Sequence, residues 1–490
     1  MLLRIGSLRV ALCLLACLSV ACSATPTQLL VFTGVHREQA LDVWALAEHL
    51  SSSRDLAVTV LVPDSLAREL KPSDPSLKPS DPSPLPDAPD TADGASCAAG
   101  EASCAADEAT RALPQRSGSL TTLVYASLPY EEYSSDAMHG RGALAGLTAQ
   151  LDFHLANCAN LLLNRTVADA LAHGAAPSSS PGASSSTGSS ISEQPRFAAM
   201  LGVATDPCSA LLADRLRIRR RVSYDDGASV SLLLTLLGAG HATSHVAAYG
   251  TALGGGGAMS TVQRVRNVVA YHRLQWWHAR VFEPRVAAFR QRHRLQPHTA
   301  DGPKPPACHL RGQVVITGAD WGLLEPQPLP PSVQLVGPLR ARAGAEGPLQ
   351  PPQLAAHVAA AEQGVVVIAF PDDYSLYPGP RGPEPDIARV YLPLKHARNV
   401  LMLPELPLSE LLAHPQVVSL VTAGSVQAIY QAIYHAKPVM AVPLSSGQED
   451  VVARVAALGA GQRLSRTELE GGAASYRVSV AIERMRNVYS

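Results

Sequence analysis

The sequence predicts an α/β protein of two domains, each a parallel sheet flanked by helices. Three observations predict it. Apolar runs of strand length alternate with amphipathic runs of helix length in two separate series. A proline-rich segment, Pro326 to Pro331, divides the series. The 490 residues, 47% of them hydrophobic, can bury two sizeable cores at ~150 residues per domain.

In the first series, Leu29 to Phe32 reads as a buried strand. A helix predicted over 38–51 then puts Leu41, Trp44, Ala45 and Leu50 on one face. Val58 to Leu61 is a second predicted strand, and a strand–helix–strand unit implies parallel pairing. The periodicity further predicts a helix over 141–163, a strand over 198–203, a long helix over 259–294 interrupted at Pro284, and a strand at Val314 to Ile316. Beyond the linker, strands are predicted at 365–370, 400–403, 417–422 and 439–442, with helices at 407–413, 425–436 and 447–458. A ligand cleft is expected between the domains, at the carboxyl ends of the strands.

Residues 1–24 have the pattern of a secretory signal: Arg4 and Arg9, a short apolar core from Val10 to Val20, then small residues from Ala21 to Ala24. A buried N-terminal strand or anchor, or a lipoprotein signal at Cys22, are the alternatives. Loss of this segment removes three of the eight cysteines, and the odd remainder leaves at least one free thiol. No CxxC pair is present, which argues against structural zinc, and no metal is expected. Asn164-Arg165-Thr166 is a glycosylation sequon. The apolar run from Ser229 to Leu237 is too short to span a bilayer. The expected location is therefore the secretory pathway, in the endoplasmic reticulum lumen or secreted, without a transmembrane helix. Segments 71–117, with tandem Lys-Pro-Ser-Asp-Pro-Ser at Lys71 and Lys78, and 174–194, rich in Ser and Gly, read as disordered inserts. The domains are then 25–325 and 326–490.

Net charge is −1 and aromatics make up 5%, which argues against a nucleic-acid partner. His241 and His245, spaced for one helix face, lack an acidic third ligand nearby. The arginines from Arg215 to Arg221 read as a solvated helix end, Gly254 to Gly257 as a loop, and Trp276 and Trp277 as packing residues.

The second series contains Thr422-Ala-Gly-Ser-Val-Gln-Ala-Ile-Tyr-Gln-Ala-Ile-Tyr-His-Ala-Lys-Pro438, preceded by Leu411-Leu-Ala-His-Pro415 and followed by Val442-Pro-Leu-Ser-Ser-Gly-Gln448. It resembles the signature of the UDP-glycosyltransferases, in a divergent form of the eukaryotic UDP-glucuronosyltransferase type. Pro330 to Pro338, Gln263 to Asn267, Asn157-Cys158 and Pro207 to Ala213 resemble other family segments. The resemblance implies a GT-B fold, two Rossmann-like domains facing a cleft, with an acceptor side and a UDP-sugar side. It implies transfer of a hexosyl or glucuronosyl group to a hydroxyl of a small lipophilic acceptor, with inversion. The UDP-sugar is a co-substrate and no cofactor or metal is implied. Homo- or hetero-oligomerisation stays open.

Residue by residue, the resemblance makes His36 the candidate base, although Glu38 or Gln39 falls nearer the family position. Val203 stands at the place of the partner aspartate, and Asp206, three residues on, is the substitute candidate. Gly424, Ser425, Gln427, Gln431 and Gln448 are the expected donor-binding residues. Ala423 replaces the family's phosphate-binding histidine, Gly447 its sugar-binding aspartate and Glu405 its uracil-stacking tryptophan; Asp372 and Asp373 add negative charge nearby. These departures leave a second reading open: a GT-B protein without transferase activity, serving as a nucleotide- or ligand-binding or partner subunit.

Overall fold

Leu29 and Val31 point to one side of the first strand and Leu30 and Phe32 to the other, and all four are buried. A strand buried on both faces requires cover from both sides. The computed structural model describes residues 27–52, 56–67, 115–117, 120–128, 142–173, 196–254, 259–296, 313–344, 349–369, 399–403 and 406–464, with single positions 70, 310, 480 and 483. In it β1 (Thr27–Phe32) lies between β2 (Leu56–Pro63) and β5 (Ala199–Val203), parallel to both. Leu29 and Val31 join a core under α1 (Arg37–Ser51), while Leu30 and Phe32 join one under α2 (Ala143–Leu163). The buried stripe of α1 runs Ala40, Val43, Trp44, Ala47 and Leu50; Leu41 and Ala45, expected inside, are only half-buried.

The first sheet continues outward through β3 (Gln115–Ser117) and β4 (Leu120–Tyr125) on one side. On the other it continues through β6 (Arg221–Asp225), β7 (Val314–Thr317) and β8 (Val333–Leu335), in the order β3-β4-β2-β1-β5-β6-β7-β8. Only β3 runs antiparallel to its neighbour. This corrects two boundaries. The insert expected to reach residue 117 ends in a strand, and β8, paired with β7, carries the first sheet past the expected division at 326. The prolines before β8 prevent pairing only over their own length. The expected signal, most of the first insert and all of the second lie outside the described residues.

α3 (Arg165–His173), α4 (Cys208–Arg215), α5 (Val230–Leu237), α6 (Thr261–Trp277) and α7 (Glu283–Arg292) complete this layer. The break in the long helix is a π turn, His278–Phe282; Pro284 sits in the first turn of α7, where a missing N–H costs little. Trp277 packs in the core, but Trp276, expected to pack, is 60% exposed. His241 and His245 lie in the irregular segment after α5, His245 in a turn, rather than on a helix. Of the arginine cluster, Arg221 pairs with buried Asp214, which Arg290 also contacts. A disulfide joins Cys158 on α2 to Cys208 at the start of α4.

The second sheet is parallel throughout, in the order β12 (Gly461–Arg463), β11 (Val439–Ala441), β10 (Val417–Thr422), β9 (Val365–Ala369). Around it pack α8 (Pro352–Ala359), α9 (Leu408–Ala413), α10 (Val426–Tyr434) and α11 (Ser446–Ala457). Of residues 400–403, expected as a strand, Leu401 and Leu403 pack on this core without strand pairing and Met402 is exposed; Pro404 follows directly in the sequence and cannot donate to a ladder. Two parallel-sheet domains facing one cleft make the GT-B arrangement. Among the described residues, no helix is long and apolar enough to cross a membrane.

Candidate functional site

The strand ends and helix starts of both sheets converge on one cavity of about 200 Å³. From the first domain its wall takes His36, Glu38, Gln39, Gln150, Asp225 and Asp226. From the second it takes Gly424 to Gln427 and Ser445 to Gln448.

His36 occupies the N-cap of α1, just past the end of β1. Gly34 lets the chain turn there: its φ is +74°, and a Cβ would lie 3.1 Å from Val203 Cγ2. The close approach brings His36 over the β5–α4 loop that carries Asp206. His36 and Asp206 are bridged by a third residue, His154 on α2. His36 Nε2 lies 3.2 Å from His154 Nε2, and His154 Nδ1 lies 3.0 Å from Asp206 Oδ2. His154 and Asp206 are both buried, and Gln150 Nε2 holds His36 Nε2 at 2.9 Å. Asp206 also accepts the Cys208 N–H at 2.9 Å, at the disulfide that ties α2 to α4. Burial, and then repulsion from His154, push the His36 imidazole down to about 3, so the ring is neutral at neutral pH. Val203, at the aspartate's expected place, is a buried core residue.

Sequence reasoning missed His154. It sits on the inward stripe Leu147, Leu151, His154, Cys158, Leu161, spaced by three and four residues. A histidine on an otherwise apolar stripe, one turn after Gln150, is the signal that was present.

On the opposite wall, Gly424 has φ +92°, and a Cβ there would lie 2.4 Å from Val452 Cγ2. Ser425 caps α10, its Oγ accepting the Ala428 N–H at 3.2 Å. Gln427 is buried and donates through Nε2 to Tyr224 Oη at 3.3 Å, a link between the domains. Tyr224 in turn donates to Asp42 at 2.7 Å, and Arg340 holds both Asp42 and Glu38. Burial outweighs Arg340 and pushes Asp42 up to about 7. Gln448 accepts the N–H groups of Leu444 and Ser445 through Oε1, at 2.8 and 3.1 Å, forming the capping box of α11. Gln431, expected beside the donor, is buried further along α10 and does not line the cavity. Asp372, Asp373 and Glu405 lie outside the described residues.

Two helix N-termini, those of α10 and α11, therefore reach one cavity, and each brings unpaired N–H groups and a positive dipole end suited to an anion. The side-chain charges point the other way. Among the described residues the lining holds Glu38, Asp225 and Asp226 and no lysine or arginine. Burial raises both Asp225 and Asp226 above the ordinary carboxyl range, with the neighbouring charge of Asp226 adding to it at Asp225 and that of Glu38 at Asp226.

Comparison with known proteins bears on these features. The sequence model of the family described as "UDP-glucoronosyl and UDP-glucosyl transferase" matches residues 189–373 and 391–483. UDP-glucuronosyltransferase 2B14 of Oryctolagus cuniculus is 26% identical over 285 residues, covering 56% of this chain and 52% of that protein. UDP-glucuronosyltransferase 2B17 of Mus musculus is 24% identical over 224 residues, covering 43% and 41%. The matches thus span about half the length of these relatives or less. Among solved structures, Arabidopsis thaliana UGT89C1 complexed with quercetin is 12% identical with a TM-score of 0.47, covering 95% of this chain and 94% of that one. The calicheamicin glycosyltransferase CalG4 is 13% identical with a TM-score of 0.45, covering 95% and 94%. Because the family model spans more than half of this chain, from β5 of the first sheet through the second sheet, the chain belongs to the UDP-glucuronosyl and UDP-glucosyl transferase family.

Proposed function

We propose that the chain transfers a hexosyl or glucuronosyl group from a UDP-sugar to a hydroxyl of a small lipophilic acceptor, with His36 as the base. The observation that carries this reading is the His36–His154–Asp206 chain, which ends in the same cavity as the N-termini of α10 and α11. The acceptor oxygen attacks C1 of the sugar and the C1–O bond to the β-phosphate breaks, its electron pair leaving with UDP. The hydroxyl proton passes to His36. A hydroxyl is a poor nucleophile until that proton has somewhere to go. The imidazolium that forms lies 3.2 Å from His154 Nε2, and Asp206 holds His154 in that place. The departing diphosphate is met by the first-turn backbone N–H groups at Ser425, Val426, Ser446 and Gly447 rather than by cations. Leu147, Leu232, Tyr249 and Val451 on the wall support a lipophilic acceptor. The disulfide and the Asn164 sequon support a lumenal or secreted location.

A thermal-shift titration tests the donor half. Saturation at ~100 times the dissociation constant stabilises a protein by about 2.7 kcal/mol, so a clear upward shift is expected with UDP. For the acceptor half, His36→Ala is expected to lower transfer by ~10³-fold while leaving the UDP shift in place.

The second reading, a ligand-binding or partner subunit without transfer, is favoured by one observation: among the described residues, the carboxylates Glu38, Asp225 and Asp226 line the cavity and no lysine or arginine does. No thermal response to millimolar UDP would select that reading and reject the first.

A further inference from the structure

We infer that the sugar accepted in this cavity is a neutral hexosyl group rather than a uronosyl group, and that Asp225 and Asp226 set this selectivity. The inference rests on the transferase reading and narrows its donor. In the displacement at C1, the sugar must lie between His36 and the helix N-termini of the second domain. Asp225 and Asp226, at the carboxyl end of β6, line that same space. Asp226 is tied to the base side: Gln39, in the first turn of the helix that His36 caps, donates through Nε2 to Asp226 Oδ2 at 3.2 Å.

The charge pattern decides between the two sugar classes. A uronosyl group carries a carboxylate where a hexose carries a C6 hydroxyl. Glu38 is offset by Arg340, which Asp42 also holds. Neither Asp225 nor Asp226 has a cationic partner among the described residues. Their carboxyl oxygens instead accept the N–H groups of Gly227 and Ala228, each at 3.0 Å. Burial raises both carboxyls, helped by the charge of Asp226 at Asp225 and of Glu38 at Asp226, so a further carboxylate would meet the same desolvation with nothing to offset it. Hydroxyl groups meet the opposite situation, since carboxyl oxygens are strong acceptors for O–H donors. The two helix dipoles are needed for the diphosphate, which both donor classes share, and so do not discriminate between them.

The test is a calorimetric titration of the full chain with UDP, UDP-glucose, UDP-galactose, UDP-N-acetylglucosamine and UDP-glucuronate, which needs no acceptor. The expected result is that at least one neutral donor binds ~30- to 100-fold tighter than UDP-glucuronate, with UDP itself also binding. Asp226→Asn should narrow that ratio by ~10-fold, chiefly by improving UDP-glucuronate, because an amide keeps one oxygen for the Ala228 N–H and removes the charge. Asp225→Asn repeats the measurement at the neighbouring position if the first variant fails to fold. UDP-glucuronate binding as tightly as the neutral donors would overturn the inference and leave the transferase reading standing. Failure of UDP and every UDP-sugar to bind would overturn both.

Discussion

The first-domain wall of the cavity is built from side chains and the second-domain wall from backbone. On the first, His36, His154 and Asp206 form a buried line of titratable groups held by Gln150, the Cys208 N–H and a disulfide. On the second, the side chains expected to touch a donor have other work. Ser425 and Gln448 cap helices, Gln427 reaches across to Tyr224, and Gln431 is buried off the wall. What the second wall offers is the amide ends of α10 and α11. Substitutions on the two walls should therefore separate. Changes on the first should reduce turnover with little effect on UDP binding. Changes on the second should act through backbone geometry and fold stability.

The largest effect expected from this contrast is at the buried end of the line. Asp206→Asn keeps the shape and the bond to the Cys208 N–H but removes the charge that orients His154. A fall in kcat of ~10²- to 10³-fold with UDP affinity unchanged is expected by analogy with other base–carboxylate pairs. His154→Phe should match it within about tenfold, since groups acting as one unit do not add. Steady-state kinetics with a turned-over donor measure both, and wild-type kcat in either variant would break the comparison.

Next is Gly424. An alanine there would meet Val452 at 2.4 Å and need φ near +92°, so Gly424→Ala should destabilise the fold by ~1–3 kcal/mol and weaken UDP binding together. Chemical denaturation and calorimetry read the two losses. A smaller effect belongs to Gln448→Ala, which removes half of the α11 capping box. It should cost ~1 kcal/mol by the same denaturation measurement and shift donor KM more than kcat.

The sheets were legible where apolar runs are bounded by turn residues, as at β1, β2, β5 and β10. They were not where local sequence and tertiary pairing disagree. Residues 401–403 have strand composition but end against Pro404, while β8 is a short strand beyond a run of prolines. The site divides in the same way. His36 and Gly424 could be placed because each stands at a strand–helix junction, and such junctions gather at the cleft. Asp206 could only be a candidate, because its reach depends on His154, and His154 becomes a partner only when α2 packs against β1 and α4. The capping roles of Ser425 and Gln448 depend on where α10 and α11 begin, which periodicity fixes only to within a few residues.

The smallest effect tests the electrostatics of the first wall alone. With its folded value at about 3, below the ordinary 6.5, His36 stays neutral while the unfolded chain takes up a proton as the pH falls. Its contribution is complete above about 6.5 and is lost progressively as the pH falls towards 3. Asp42 and Asp450, both raised to about 7 by burial, have the opposite sign: the folded state keeps their protons longer, so their contributions fall as the pH rises through 7. All of these overlap in the wild-type curve, but the aspartates are common to wild type and His36→Gln. The difference between the two proteins isolates the histidine. Wild type should lose under ~1 kcal/mol more than His36→Gln between about pH 7 and pH 6. If the two stability curves run parallel over that range, the ring is not held neutral by burial, and the first wall lacks the electrostatic character that separates it from the second.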